Sequence, residues 1–222
     1  GNGSAAEPKI TVKTEDISGV LKNIINCHEV SSIRSNVGDS VIIRIPDLNK
    51  ILLRSFHDKK IPLKYLRASR EQRMELLRGL MDSDGCIEKI RGQAVYCSTE
   101  RGLARSVSEL LWSLGIKNSI TKAASTQRKD WNKRSRECGR VKTGETLYYI
   151  KFTAFKDTRI SGLYRKYKNS VERNPRTRSH FRYIDKIEKI QNQGMQCVQV
   201  NSPSHQYLVG RSCLPTHNSE LA

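Results

Sequence analysis

Two groups of residues in this chain could do chemistry. Near its end, His217 and Asn218 stand directly before Ser219 in LPTHNSELA, with Cys197 and His205 upstream. An Asn side chain can attack its own main-chain carbonyl and cut the chain behind it, provided neighbouring groups help. Farther back, Asp82 and Asp84 close the stretch MELLRGLMDSDGC. Leu76, Leu77, Leu80 and Met81 in that stretch mark one helical face, and Gly79 leaves room for another backbone to come close. Gly85 is expected to stop the helix. Carboxylates in a last helical turn oppose the helix dipole, so this pair predicts a bound cation.

The elements that must position these residues form a repeat. KITVKTEDISGVLKNIINC, from Lys9, reads as a strand and then a helix with Ile17, Val20, Leu21, Ile24 and Ile25 at helical spacing. QAVYCSTERGLARSVSELLWSLGI, from Gln93, repeats the plan with Leu103, Val107, Leu110, Leu111 and Leu114. The Thr-Glu steps at Thr14 and Thr99 are expected to cap the two helices. GDSVIIRIPDLNKILL, from Gly38, is echoed by GETLYYIKFTAFKDTRI, from Gly144, and the second copy carries an extra basic segment, STQRKDWNKRSRECGRV. SDGC precedes the second copy where GNGS precedes the first, so Asn2 falls where Asp84 falls. In the strands over Val41–Ile45 and Leu147–Phe152, alternation predicts one core face and one polar face, the latter including Arg44 and Lys151.

Composition narrows the class. Within 222 residues the formal net charge is +18, which attracts polyanions and points to nucleic acid, DNA or RNA. The six cysteines form no Cys-x-x-Cys pair, which argues against a zinc site and fits reduced thiols in an intracellular, cytoplasmic protein. No apolar run is long enough to span a bilayer, and no signal peptide is present. The chain opens on Gly1 without an initiator Met, as a fragment would.

LRGLMDSDG, Leu77 to Gly85, resembles the motif of the LAGLIDADG (dodecapeptide) homing endonucleases, and the resemblance covers roughly residues 1–170. It implies an α+β fold of pseudo-twofold αββαββα repeats with curved antiparallel sheets. Two such helices pack side by side, and their last acids bind divalent metal beneath double-stranded DNA. Phosphodiester hydrolysis needs an activated water and charge opposite a departing oxygen, which hard cations supply. The implied metal ligands are Asp84 and the Ser83 carbonyl, with Asn2 at the equivalent place in the first half and Mg²⁺ as cofactor. Lys60, in KKIP, is the implied stabiliser of phosphate charge, with an ordinary surface lysine as the alternative. Arg44, Lys129, Lys133, Arg134 and Lys151 are the DNA-binding candidates. An amide binds Mg²⁺ more weakly than a carboxylate and takes no proton, so Asn2 predicts poor cleavage or nicking of one strand.

CVQVNSPSHQYLVGRSCLPTHNS resembles the C-terminal splicing blocks of inteins, which commonly house such nucleases. The resemblance implies that the Asn218 amide closes a succinimide and breaks the Asn218–Ser219 bond. His217 polarises the carbonyl or protonates the leaving amine, and His205 supports that or an earlier proton transfer. Cys197 stands where inteins carry a coupling Cys or Asp, and the Ser219 hydroxyl accepts the upstream acyl group. No cofactor is needed for this chemistry. Partners are the missing N-terminal intein segment, in cis or in trans, and a host protein, for which a nucleotide-binding ATPase is one option.

The expected organisation is a first-repeat remainder over 1–68, a second repeat over 69–171, a basic linker over 172–180, a β-rich Hint-type splicing segment over 181–218, and host sequence over 219–222. A maturase-like LAGLIDADG DNA- or RNA-binding protein without active chemistry is the alternative, and a hedgehog-type autoprocessing domain is a third reading that does not require the terminal Asn.

Overall fold

A computed structural model describes residues 9–25, 29–35, 38–46, 60–124, 146–173, 184–189, 191, 194 and 198–217. Asn2, Lys129, Lys133, Arg134, Cys197, Asn218 and Ser219 lie outside the described residues.

The first unit is a three-stranded antiparallel sheet with a helix. Strands β1 (Lys9–Lys13), β2 (Ser32–Ser35) and β3 (Ser40–Arg44) lie in the order β1-β3-β2, with Val12 paired to Val41 and Ile10 to Ile43. Helix α1 (Ile17–Ile25) follows a 3-10 turn over Thr14–Asp16 and sets Ile17, Val20, Leu21 and Ile24 against a core of Val12, Ile43 and Ile45.

The second unit holds the larger core. Short helix α2 (Leu63–Leu66) leads to α3 (Arg70–Ser83), β4 (Gly85–Ile87), β5 (Gln93–Ser98), α4 (Arg101–Ser113), β6 (Asn118–Ala124), β7 (Thr146–Thr153) and short helix α5 (Tyr164–Tyr167). The antiparallel sheet runs β4-β5-β7-β6. Ser69 and Gln72 start α3 with reciprocal side-chain to backbone bonds of 3.3 and 3.2 Å, a capping box. Met74, Leu77 and Met81 point from α3 into the core, and Ala104, Val107, Leu110 and Leu111 do so from α4. Ala94, Tyr96, Ile150 and Phe152 meet them from one sheet face. Period 2 then turns Val95, Lys151 and Ser119, which are in register, to the other face.

Three sequence expectations are corrected. Neither Thr14 nor Thr99 caps a helix: Thr14 lies inside the 3-10 turn, and α4 begins at Arg101, so Glu100 holds the cap position without a side-chain cap bond. The Ser98 hydroxyl instead accepts from the Glu100 N–H at 3.0 Å. Gly85 is not a left-handed stop, because α3 closes on Asp84 and Gly85 begins β4. Its lack of a side chain matters for space, since a Cβ there would lie 2.7 Å from the Met81 Cα. Finally, residues 184–189 form no strand, and Ile184 and Ile187 are 81% and 85% exposed. This stretch lies in the segment expected to be β-rich, but a strand forms only beside a partner edge, and none lies against it among the described residues.

The chain's last described elements are β8 (Gln206–Val209) and β9 (Leu214–His217), an antiparallel hairpin with Gln206 opposite His217. Its turn uses Gly210 at φ 67° and Cys213 at φ 49°. No helix among the described residues is long and apolar enough to cross a membrane.

Candidate functional site

The end of α3 gives its two acids different work. The Asp82 carboxylate accepts from the Ser161 hydroxyl at 2.5 Å and from the Gly162 N–H at 3.1 Å, with the Leu163 N–H at 3.4 Å. These donors belong to the approach to α5, so Asp82 anchors one segment to another. Asp84 is exposed, and its carboxylate has no hydrogen bond or ion pair among the described residues. Its N–H closes the helix on Leu80 at 3.1 Å. The Ser83 hydroxyl donates to the Leu80 carbonyl at 3.0 Å, while the Ser83 carbonyl accepts no hydrogen bond among the described residues.

A buried cation lies beneath this turn. Lys166 is 8% exposed, and its Nζ donates to the carbonyls of Met81 at 2.7 Å, Asp82 at 2.8 Å and Gly85 at 2.8 Å. Burial pushes the Lys166 ammonium below the usual lysine range; Arg165 adds to that push and Asp82 opposes it. The acids at this helix end therefore do not by themselves call for a bound metal, because the protein supplies its own cation there. Neither Lys166 nor the anchoring role of Asp82 was foreseen from the sequence.

Below Asp84, the phenol of Tyr96 is buried in the core, on the residue paired with Gly85. Burial and then the Asp84 charge, with a smaller push from Cys97, raise its pKa to about 12. Tyr96 is thus a neutral neighbour of the free carboxylate at any ordinary pH.

A hard divalent cation fits what Asp84 and Ser83 offer, namely one unpaired carboxylate and one unpaired carbonyl, only if water or phosphate oxygens fill the remaining positions. No cluster of three or more His, Cys, Asp or Glu side chains suited to a metal occurs among the described residues. Lys60 is exposed, and its stem runs over Gly102 at the start of α4, where a Cβ would lie 2.8 Å from the Lys60 Cγ. Arg44 ends β3, and Lys151 sits mid-β7 on the face away from the core. Gly79 is exposed, with nothing within 4 Å of a Cβ built there among the described residues, so no partner backbone approaches it here.

A family model described as a LAGLIDADG-like domain matches residues 71–150. That span runs from the first turn of α3 to the middle of β7. This part of the chain is similar to a LAGLIDADG-like domain. Asp82, Asp84 and the core face of α3 all lie in the matched span, whereas Lys60 and Lys166 flank it.

Residues of this chain are 35% identical over 166 positions to a protein named replicative DNA helicase DnaB from Mycobacterium intracellulare. The match takes in 74% of this chain and 26% of that protein, so the chain spans about a quarter of its relative's length. Solved structures of the homing endonuclease I-DmoI also match. One, in complex with its target DNA in the presence of magnesium, is 13% identical and covers 69% of this chain and 78% of that chain, with a TM-score of 0.40. A second, of mesophilic variants, is 14% identical and covers 69% and 77%, with a TM-score of 0.41.

The C-terminal hairpin brings two of the remaining candidates together. His205 precedes β8 with φ 50°, and His217 ends β9. Their rings lie 6.2 Å apart between centroids, in an edge-on arrangement. At that spacing they do not hydrogen-bond to each other, and both are exposed. The pairing of Gln206 with His217 is what sets one imidazole beside the other.

Proposed function

We propose that this chain carries a DNA-cleaving LAGLIDADG domain embedded in an intein, followed by the C-terminal splicing segment of that intein. One observation carries the nuclease reading: on a LAGLIDADG-like domain, Asp84 presents an exposed carboxylate without a partner among the described residues, while Asp82, two residues before it, is fully engaged. When bound, Mg²⁺ supplies an activated water and charge opposite the departing oxygen of a phosphodiester. Asp84 and the Ser83 carbonyl hold that ion. Lys60 stabilises phosphate charge, and Arg44, Lys151, Lys129, Lys133 and Arg134 contact the DNA, a set that the net charge of +18 supports. Asn2 in the first repeat supports impaired or one-strand cleavage. It is also what favours the second reading, a maturase-like DNA- or RNA-binding protein without chemistry.

The splicing reading rests on His217, Asn218 and Ser219 and is supported by the neighbouring rings of His205 and His217. Asn218 cyclises, His217 protonates the leaving amine, His205 and Cys197 assist, and Ser219 is the first host residue. Complete splicing takes place inside the cell and requires an N-terminal intein segment, whereas Asn218 cyclisation alone releases the tail slowly. The relative's name, replicative DNA helicase, supports a helicase as host.

The nuclease reading is tested by incubating the chain with Mg²⁺ and a duplex carrying the host coding sequence uninterrupted at the insertion point. Cutting or nicking that vanishes in Asp84→Asn supports it. Cutting of both strands that persists in Asp84→Asn overturns it, and tight binding without any cutting selects the second reading. Mass spectrometry tests splicing: the wild-type chain loses the tail after Asn218, and Asn218→Ala keeps it.

A further inference from the structure

We propose that Lys166 is a positioning residue for Asp84, its buried ammonium fixing the turn that carries the metal-binding carboxylate. This rests on the nuclease reading of Asp84.

The three N–H groups of an ammonium are all used here, on carbonyls at 2.7, 2.8 and 2.8 Å. Met81 and Asp82 belong to the last turn of α3, whose carbonyls have no partner within the helix. Gly85 lies beyond it, on the first residue of β4. The three carbonyls therefore straddle Asp84, and one cation ties the chain before that residue to the chain after it. The carbonyl of Ser83, inside the same turn, is passed over and left for a ligand. Lys166 makes no hydrogen bond to the Asp84 carboxylate, so it acts through the backbone alone.

The lysine is itself held from the other side. Its N–H bonds to Leu163 at 3.0 Å, and the N–H groups of Gly162 and Leu163 bond back to Asp82. Residues 161–166 thus grip the helix end with a carboxylate going one way and an ammonium going the other. Charging a group this buried is costly, and an apolar side chain of similar size would avoid that cost. A neutral methionine would also leave the three carbonyls without donors, free to let the turn relax. Ligand-supporting groups of this kind typically change metal affinity by about 10–100-fold.

The test compares full-length wild type with Lys166→Met, Lys166→Gln, Lys166→Arg and Asp84→Asn. Two readouts are used: amide hydrogen exchange at Asp84, Gly85 and Cys86, and affinity for Mn²⁺ alone by electron paramagnetic resonance. Lys166→Met is expected to speed exchange at these amides at least about tenfold and weaken Mn²⁺ by about 10–100-fold, with Lys166→Gln between it and wild type. Lys166→Arg, which keeps charge and donors, is expected to restore both in part. Asp84→Asn should lose Mn²⁺ yet keep slow exchange. A folded Lys166→Met, or Lys166→Gln where Met does not fold, with wild-type Mn²⁺ affinity overturns the proposal. So does collapse of all the neutral variants when Lys166→Arg regains the fold without regaining Mn²⁺ affinity, because Lys166 is then only a structural cap. Absence of Asp84-dependent Mn²⁺ binding in wild type removes the nuclease reading instead, whatever the exchange data show.

Discussion

The two glycines of LRGLMDSDG should respond to alanine in opposite directions. At Gly85 a Cβ would lie 2.5 Å from the Met81 Cε, 2.6 Å from its Sδ and 2.7 Å from its Cα. The thioether end can swing aside, but the Cα belongs to a helix whose end is tied to Lys166, so the backbone must move. Overpacking of this kind costs about 1–3 kcal/mol. At Gly79 nothing lies within 4 Å, φ is ordinary, and the residue is exposed in mid-helix. Alanine there should therefore stabilise by roughly 0.5–1 kcal/mol, through chain entropy and helix propensity. For a chain of this size about 2–4 °C accompanies each kcal/mol, so Gly85→Ala should lower Tm by roughly 2–12 °C and Gly79→Ala raise it by about 1–4 °C. Calorimetry with urea melts on the two variants and wild type measures both. A Gly85→Ala protein as stable as wild type refutes the steric account of that glycine. A Gly79→Ala protein that melts lower shows that the face around Gly79 is packed after all.

Three further outcomes follow from the same geometry. Asp82→Asn should lose about 1.5–3 kcal/mol in urea melts because its carboxylate serves charge-assisted bonds, whereas Asp84→Asn should be neutral or gain a few tenths as the dipole repulsion goes (about 0.3–1 kcal/mol for such end charges). Burial raises the Tyr96 pKa from 10.0 to about 12, so the unfolded chain releases its proton first and stability falls as pH rises through that window, by roughly 2–3 kcal/mol at most. Alkaline urea melts should show that limb in wild type and lose it in Tyr96→Phe. Arg165 Nε lies 2.5 Å from the Asp16 Oδ2, and Asp16 is 7% exposed, so Arg165→Ala should cost about 1–3 kcal/mol and speed limited proteolysis of the first unit.

Helical periodicity was enough to find α1, α3 and α4, because each buries a stripe that repeats every three or four residues. The two strands of most consequence, β3 and β7, were legible to within a residue from their apolar runs. Misreadings came where local chemistry had a competitor. Thr99 looks like a cap, but Ser98 reaches the Glu100 N–H and the helix starts later. Gly85 looks like a conformational stop, but Met81 makes it a spatial requirement. The clamp on α3 was out of reach for a different reason: Lys166 and Asp82 meet their partners across 79 to 85 positions of sequence, where no local pattern links them. In a run of basic residues such as YRKYK, nothing marks the one that is buried. The hairpin pairing that sets His205 beside His217 does have a partial local signature, since the strand-like QYLV leads into a glycine turn.

A helix ending in two acids poses an electrostatic problem, since its C-terminus carries roughly half a negative charge already. An external cation is one solution, and the dipole alone would predict it. The fold uses another: Lys166 sits under the last turn and takes up the unpaired carbonyls, and Asp82 turns away toward the N–H groups of Gly162 and Leu163. What is left is Asp84, outward, exposed and without a partner among the described residues. That residue is the informative one, because apart from the Ser83 carbonyl its carboxylate is the one group at this helix end, among the described residues, that the fold leaves without a partner. A cation drawn to Asp84 would therefore be bound by the carboxylate and not by the dipole. Affinity should then follow the charge at position 84 closely, and Asp84→Glu, which keeps the charge but lengthens the arm, should retain more Mn²⁺ binding than Asp84→Asn, which keeps the shape. Equal loss in the two variants would refute this account, because geometry would then outweigh charge at this position.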